Sequence, residues 1–310
     1  MTYAMLFPGQ GSQSVGMLQG LPFPEIRQTF QEASDALGWD LLGLVRDGPE
    51  AQLNQTARTQ PALLAAGIAL WRVWQAEEMP APVALAGHSL GEYTALVAAG
   101  ALRFDDALRL VALRGELMQG AVPEGEGGMM AVIGLDDAKV EALCATCPVD
   151  AVLSPVNYNA PGQVVVAGAR TALDWLEAHG KAAGARMLVR LPVSVPSHCS
   201  LMEPAAARLA ERLAETDIGP CNIPVIHNVD ARPRNSATDV RAALAAQLYQ
   251  PVRWTATIEH LRDSGVQRYI ECGPGKVLAG LNKRIVKGVD VYALEEQGAL
   301  DAARASVSAA

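Results

Sequence analysis

The sequence predicts an α/β protein in which a parallel sheet, covered by helices on both faces, is interrupted by a small β-α-β-β-α-β unit. Three observations carry this reading. Short apolar runs alternate with helical stretches in the first third of the chain and again in the last third, the pattern of βα units. Between them, from Gly125-Glu126-Gly127-Gly128, expected to be a flexible joint, the order changes to that of a split ferredoxin-like unit. Of the 310 residues 50% are hydrophobic and 19% charged, enough for a sizeable core and too apolar for wholesale disorder.

Residues 3–7 read as a strand, followed by the loop Pro8-Gly9-Gln10-Gly11-Ser12. A helix is expected to open at Gln60-Pro61 and run to about Glu77, with proline in its first turn, where a missing N–H costs nothing. Residues 83–86 form the next strand and 91–99 a helix; a further helix spans about 105–119. In the middle, 129–135 is a strand, 136–144 a helix, 151–158 and 163–167 strands, 171–184 a helix and 186–193 a strand. Asp136-Asp137 suits a helix start and Gly184 its end, while Asn159-Ala160-Pro161-Gly162 marks the hairpin turn. Residues 125–194 are therefore assigned to an inserted small domain, and 1–124 with 195–310 to a discontinuous large one. In the last third come helix 201–215, strand 225–228, helix 237–248 and strand 268–272. Gly273-Pro274-Gly275 follows that strand as a tight loop, where ligands of open α/β sheets tend to sit.

A formal net charge of −8 argues against a nucleic-acid binder. Apolar stretches such as 61–74 are shorter than the roughly 18–20 residues that cross a bilayer, so no membrane association is expected. The amino terminus lacks a basic segment followed by an apolar one, so no signal peptide is expected and the cytoplasm is the expected location. Five cysteines do not read as a disulfide framework. Cys144 and Cys147 have metal-like spacing, but no second Cys or His pair matches them, so they are expected to be ordinary thiols and no metal site is expected.

The sharpest local signal is Gly87-His88-Ser89-Leu90-Gly91, a G-x-S-x-G between a strand and a helix. Small residues must flank a serine held up at so tight a turn, and the helix start offers the Leu90 amide where an oxyanion would form. Such a serine needs a base. Of five histidines, His88 adjoins the serine and suits packing or substrate contact. His179 suits a solvated helix end, and His260 a helix face. His198, at a prolyl turn where the chain re-enters the large domain, is favoured, with His227 at a strand end next. Arg114 falls on the apolar stripe of helix 105–119 formed by Ala107, Leu110, Val111, Leu117 and Met118. An inward arginine needs an anion. That anion is a structural Asp or Glu or a substrate carboxylate gripped by the guanidinium fork, unless the side chain snorkels out to water.

Taken together these pieces resemble the malonyl-CoA:acyl-carrier-protein transacylases of bacterial fatty-acid synthesis. The likeness runs from Phe7-Pro8-Gly9-Gln10-Gly11-Ser12-Gln13 to about Lys287. It includes Thr59-Gln60-Pro61-Ala62, Gly87-His88-Ser89-Leu90-Gly91-Glu92-Tyr93, Arg114-Gly115, Asn157, Asn159-Ala160-Pro161-Gly162-Gln163, Val195-Pro196-Ser197-His198 and Glu271-Cys272-Gly273-Pro274-Gly275. It implies an α/β-hydrolase-like large domain with a ferredoxin-like insert. It further implies Ser89 as nucleophile, His198 as base, Gln10 and Leu90 as oxyanion-hole amides, Arg114 as holder of the malonyl carboxylate, and the Gln247 carbonyl as the group orienting the histidine. Malonyl-CoA and acyl carrier protein are the implied partners of a monomeric enzyme, with no bound cofactor. Because carrier proteins are acidic, Arg186, Arg190, Lys283, Arg284 and Lys287 are candidates for a basic docking patch.

The rival readings are four. A serine thioesterase or hydrolase would share the elbow but places its histidine late in the chain. A malonyl transferase subunit of malonate decarboxylase and a free-standing polyketide acyltransferase would share the chemistry in another pathway. A non-catalytic α/β binding module would leave elbow, histidine and arginine coincidental.

Overall fold

The computed structural model describes residues 2–308. Its nine strands are β1 (Tyr3–Phe7), β2 (Ala84–Gly87), β3 (Gly127–Ile133), β4 (Leu153–Ala160), β5 (Gln163–Ala169), β6 (Met187–Arg190), β7 (Val225–Ile226), β8 (Arg268–Glu271) and β9 (Asp290–Ala293). They make two sheets: a parallel one in the order β7-β2-β1-β8-β9, and an antiparallel one in the order β4-β5-β3-β6.

In the parallel sheet β1 and β2 are buried at every position, as a strand covered on both faces must be. Met5 and Phe7 pack into the larger core with Leu85; Ala4 and Leu6 face a second core with Ala84, Ala86, Trp254 and Ile258. The larger core is built on helix Thr56–Ala76, which is buried on nearly all sides. That helix starts four residues before the expected Gln60, so Pro61 stands inside it rather than in its first turn. The start is set instead by Gln55, whose carbonyl receives the amides of Arg58 and Thr59.

The antiparallel sheet carries helices Asp137–Ala145 and Arg170–His179 on one face, over Met130, Val132, Val164 and Val166. Alternation turns Met129, Ala131, Val165 and Ala167 to the other face, against Cys199 and Leu201 of the chain beyond the insert. Mutual backbone bonds between Val156, Tyr158 and Val252 (2.8 and 3.0 Å) stitch β4 to that same part of the chain. The fold is thus a parallel-sheet α/β unit of the hydrolase-like kind with a ferredoxin-like insert.

Several elements differ from expectation. Gly127 and Gly128 open β3 rather than forming a flexible joint, β6 stops at Arg190, and helix Arg170–His179 ends five residues early. Helices Pro24–Leu37 and Gln297–Ser308 and edge strand β9 were not expected. Helix Pro24–Leu37 has a readable signature: Pro24 at its start, Gly38 past its end, and Ile26, Phe30, Ala33 and Leu37 along one face.

Among the described residues no helix is long and apolar enough to cross a membrane. Cys144 is buried and Cys147 half-buried, both as free thiols, and no group of three potential metal ligands occurs among those residues.

Candidate active site

The chain leaves β1 for neighbouring β2, continues later to β7 beyond it, and then crosses to β8 on the other side of β1. Loops at the carboxyl ends of strands flanking such a reversal converge on one crevice. Gln10 follows β1, Ser89 follows β2, Asn228 follows β7 and Gly273 follows β8.

Ser89 stands between β2 and helix Gly91–Ala98 with φ +51°, in the left-handed region. The two glycines of the motif make the turn possible. A Cβ on Gly87 would lie 1.9 Å from the Gly91 carbonyl carbon, and one on Gly91 would lie 2.1 Å from the Phe7 carbonyl oxygen. A left-handed serine costs on the order of 1–2 kcal/mol and persists only when its surroundings fix it. Here Asn228 fixes it: its Oδ1 accepts the Ser89 amide (2.7 Å) and its Nδ2 donates to Gly87 O (2.7 Å).

Ser89 Oγ lies 2.8 Å from His198 Nε2, and His198 Nδ1 lies 2.6 Å from the Gln247 carbonyl oxygen. A carbonyl only accepts, so Nδ1 carries the proton and Nε2 is the acceptor facing the serine hydroxyl. His198 too has a positive φ, +67°, held by its amide bonding to Leu248 O (2.9 Å). Burial, helped by the nearby Arg114 charge, pushes its imidazole down to about 3, so it stands neutral with the Nε2 lone pair free to accept.

His227 is not within this line. It is fully buried, with Nδ1 2.6 Å from Glu92 Oε1. His88 bonds Asn159 Oδ1 (2.8 Å) and lines the cavity; His179 is exposed and stacked on Trp175, and His260 lies half-buried on helix Trp254–Asp263.

Arg114 is 1% exposed, so it does not snorkel, and no carboxylate pairs with it among the described residues. Its Nη1 donates to Gln60 Oε1 (2.7 Å) and its Nη2 to Gln247 Oε1 (2.9 Å) and Ser89 Oγ (3.2 Å), while Nε has no partner. Gly115 allows this depth: a Cβ there would stand 2.6 Å from Ala57 Cα on the neighbouring helix. Beside the elbow, the guanidinium's hydrogen-bond partners among the described residues are all neutral acceptors.

The amides of Gln10 and Leu90 donate to no backbone or side-chain acceptor within the described residues. Both residues border a cavity of about 100 Å³ with Ser89, Arg114, Met129 and His198. Asn228 and the role of Glu92 escaped the sequence reading. Glu92 did leave a signal: it is the single charged side chain in the stretch 89–102.

One consequence concerns pH. Folding holds His198 below its ordinary value near 6.5, so the unfolded chain binds the extra proton first. The stability contributed by keeping this ring neutral is complete above about pH 6.5 and is lost as pH falls toward 3. For catalysis, kcat/KM with malonyl-pantetheine, which lacks titrating phosphates, should be flat through pH 6.5 with its acid limb well below. A limb centred near 6.5 would mean that the ring is solvated.

The chain matches the acyl transferase domain model over residues 4–300. Malonyl CoA-acyl carrier protein transacylases of Salmonella typhimurium and Escherichia coli K12 are 53% and 52% identical to it, each over 97% of this chain and 98% of their own. An acyl carrier protein S-malonyltransferase from Vibrio cholerae superposes with a TM-score of 0.95 at 53% identity, covering 98% of this chain and 100% of that one. A malonyl-transacylase solved in complex with a type II PKS acyl-carrier protein superposes at 0.97 and 51% identity, covering 99% and 100%.

Proposed function

From its place among the malonyl CoA-acyl carrier protein transacylases, the acyl transferase family to which this chain belongs, we propose how its residues divide the work. The reaction is transfer of malonyl from malonyl-CoA to the thiol of acyl carrier protein for fatty-acid synthesis. The observation that carries the assignment is the line from Gln247 O through His198 to Ser89 Oγ, with Arg114 beside the same oxygen.

Ser89 Oγ attacks the thioester carbonyl as its proton passes to His198 Nε2. The oxyanion rests on the Gln10 and Leu90 amides, each worth roughly 3–4 kcal/mol by analogy with a removable oxyanion-hole donor. Collapse breaks the C–S bond, and the coenzyme A thiolate leaves with the proton from His198. The carrier's thiol then gives its proton to His198 and attacks the malonyl-Ser89 ester; the serine leaves and regains a proton. Arg114 pairs with the free malonyl carboxylate throughout. The chemistry needs no metal or cofactor, and we propose a monomer working in the cytoplasm. Residues 125–194 are proposed as the insert that roofs the site and shields the ester from water.

For carrier docking, Arg190 is committed to Asp174 and Glu177 within the insert, and Arg284 to Gln163 and Pro161 at the hairpin turn. Arg186, Lys283 and Lys287 are exposed and form no ion pair among the described residues, so they are the proposed contacts. Sustained coenzyme A release from malonyl-CoA should require holo carrier protein. Equal rates with and without it would make the protein a hydrolase.

A further inference from the structure

We propose that Glu92 is a positioning residue for both halves of the site, acting through Asn228 on the serine and through Gln247 on the arginine and the histidine. The inference rests on the assignment of Ser89, His198 and Arg114 given above.

Glu92 is 0% exposed, three residues beyond Ser89 on the elbow helix. Its carboxylate receives three donors. His227 Nδ1 lies 2.6 Å from Oε1, while the Asn228 amide and Gln247 Nε2 each lie 2.9 Å from Oε2. Because a carboxylate only accepts, all three donors are satisfied at once. One of these partners, Asn228, clamps the Ser89 amide and Gly87 O.

Gln247 does more. Its Nε2 also reaches Ser89 O (3.0 Å), its Oε1 receives Arg114 Nη2 (2.9 Å), and its backbone carbonyl receives His198 Nδ1 (2.6 Å). A side-chain amide has a donor end and an acceptor end. With the donor end tied to Glu92, the oxygen end faces Arg114. Turned over, Gln247 would present N–H groups to the guanidinium and an oxygen to the carboxylate. Glu92 therefore fixes which way Gln247 stands. It also balances the Arg114 charge from one amide away, so the guanidinium is not captured by a direct ion pair that would compete with substrate.

Two variants test this, each checked for fold by circular dichroism. The readouts are the rate of Ser89 malonylation, the malonyl-over-acetyl ratio and the downfield Nδ1 proton resonance of His198. Glu92→Ala should lose that resonance, slow malonylation by about 30-fold or more and lower the ratio about tenfold, since ångström misplacements at a reacting centre cost on the order of 100-fold. Glu92→Gln should stay within about fivefold, because His227 can accept from the new amide while its oxygen still serves Asn228 and Gln247. Should Glu92→Ala not fold, Glu92→Leu, which fills much of the same space but offers Asn228 and Gln247 no acceptor, should show the same losses.

A folded Glu92→Ala or Glu92→Leu variant with resonance and ratio unchanged overturns the proposal, as does a rate loss unaccompanied by either. Normal malonyl labelling of a Ser89→Ala control would instead overturn the underlying site assignment.

Discussion

A Ser89→Ala variant mixed with malonyl-CoA will gain no malonyl adduct by intact mass, while the unchanged protein will carry one on the peptide containing Ser89. Transfer activity will fall on the order of 10³-fold or more, the scale on which losing a covalent nucleophile acts. The result is interpretable because the substitution spares the turn. The elbow is held through main-chain atoms: the Ser89 amide on Asn228 and the Ser89 carbonyl on Gln247 Nε2. Only Oγ is removed, and with it one contact each to His198 and Arg114. Alanine tolerates a positive φ no worse than serine does, so the strain at +51° is unchanged. Normal labelling would remove Ser89 from the mechanism and leave the elbow as a structural turn.

How far the site could be read without coordinates depended on how local each part is. The elbow is a five-residue object in which Gly87 answers to Gly91 itself, although Gly91 answers to Phe7 on β1, and Gly87-His88-Ser89-Leu90-Gly91 reads directly. His198 is 109 residues away, and position alone left His227 in contention. Nothing local reveals that a carboxylate on the elbow helix engages His227. Gln247 came only through family resemblance. Its role depends on helix Ala237–Ala246 ending so that the carbonyl of its cap, Gln247, meets an imidazole from another loop. Asn228 joins β7 to the turn after β2, a contact that exists only because those strands pair. The missed elements have a different cause. Strand β9 lies at the edge, exposed at Asp290 and only half-buried elsewhere, so it lacks the continuous apolar run that marks β1 and β2.

Arg114→Ala will lose malonyl transfer selectively. Its guanidinium lies 3.2 Å from Ser89 Oγ, so an acyl group esterified there extends beside it. A desolvated carboxylate–guanidinium pair is worth about 2–5 kcal/mol on truncation of one partner. With a tenfold change per 1.4 kcal/mol, the malonyl-over-acetyl ratio of kcat/KM should fall by roughly 30- to 4,000-fold. The ratio is the informative quantity. Removing Arg114 also strips a donor from Gln60 and Gln247, which harms the site for every substrate. Acetyl lacks the second carboxylate, so it reports that general damage, and dividing by it isolates the ion pair. The fold should survive, because a buried cation without a carboxylate partner stabilises the protein little, and its loss leaves neutral amides rather than an orphaned charge. Parallel losses for both acyl groups would return Arg114 to a purely structural role and leave the preference for a dicarboxylic acyl unit without a residue to carry it.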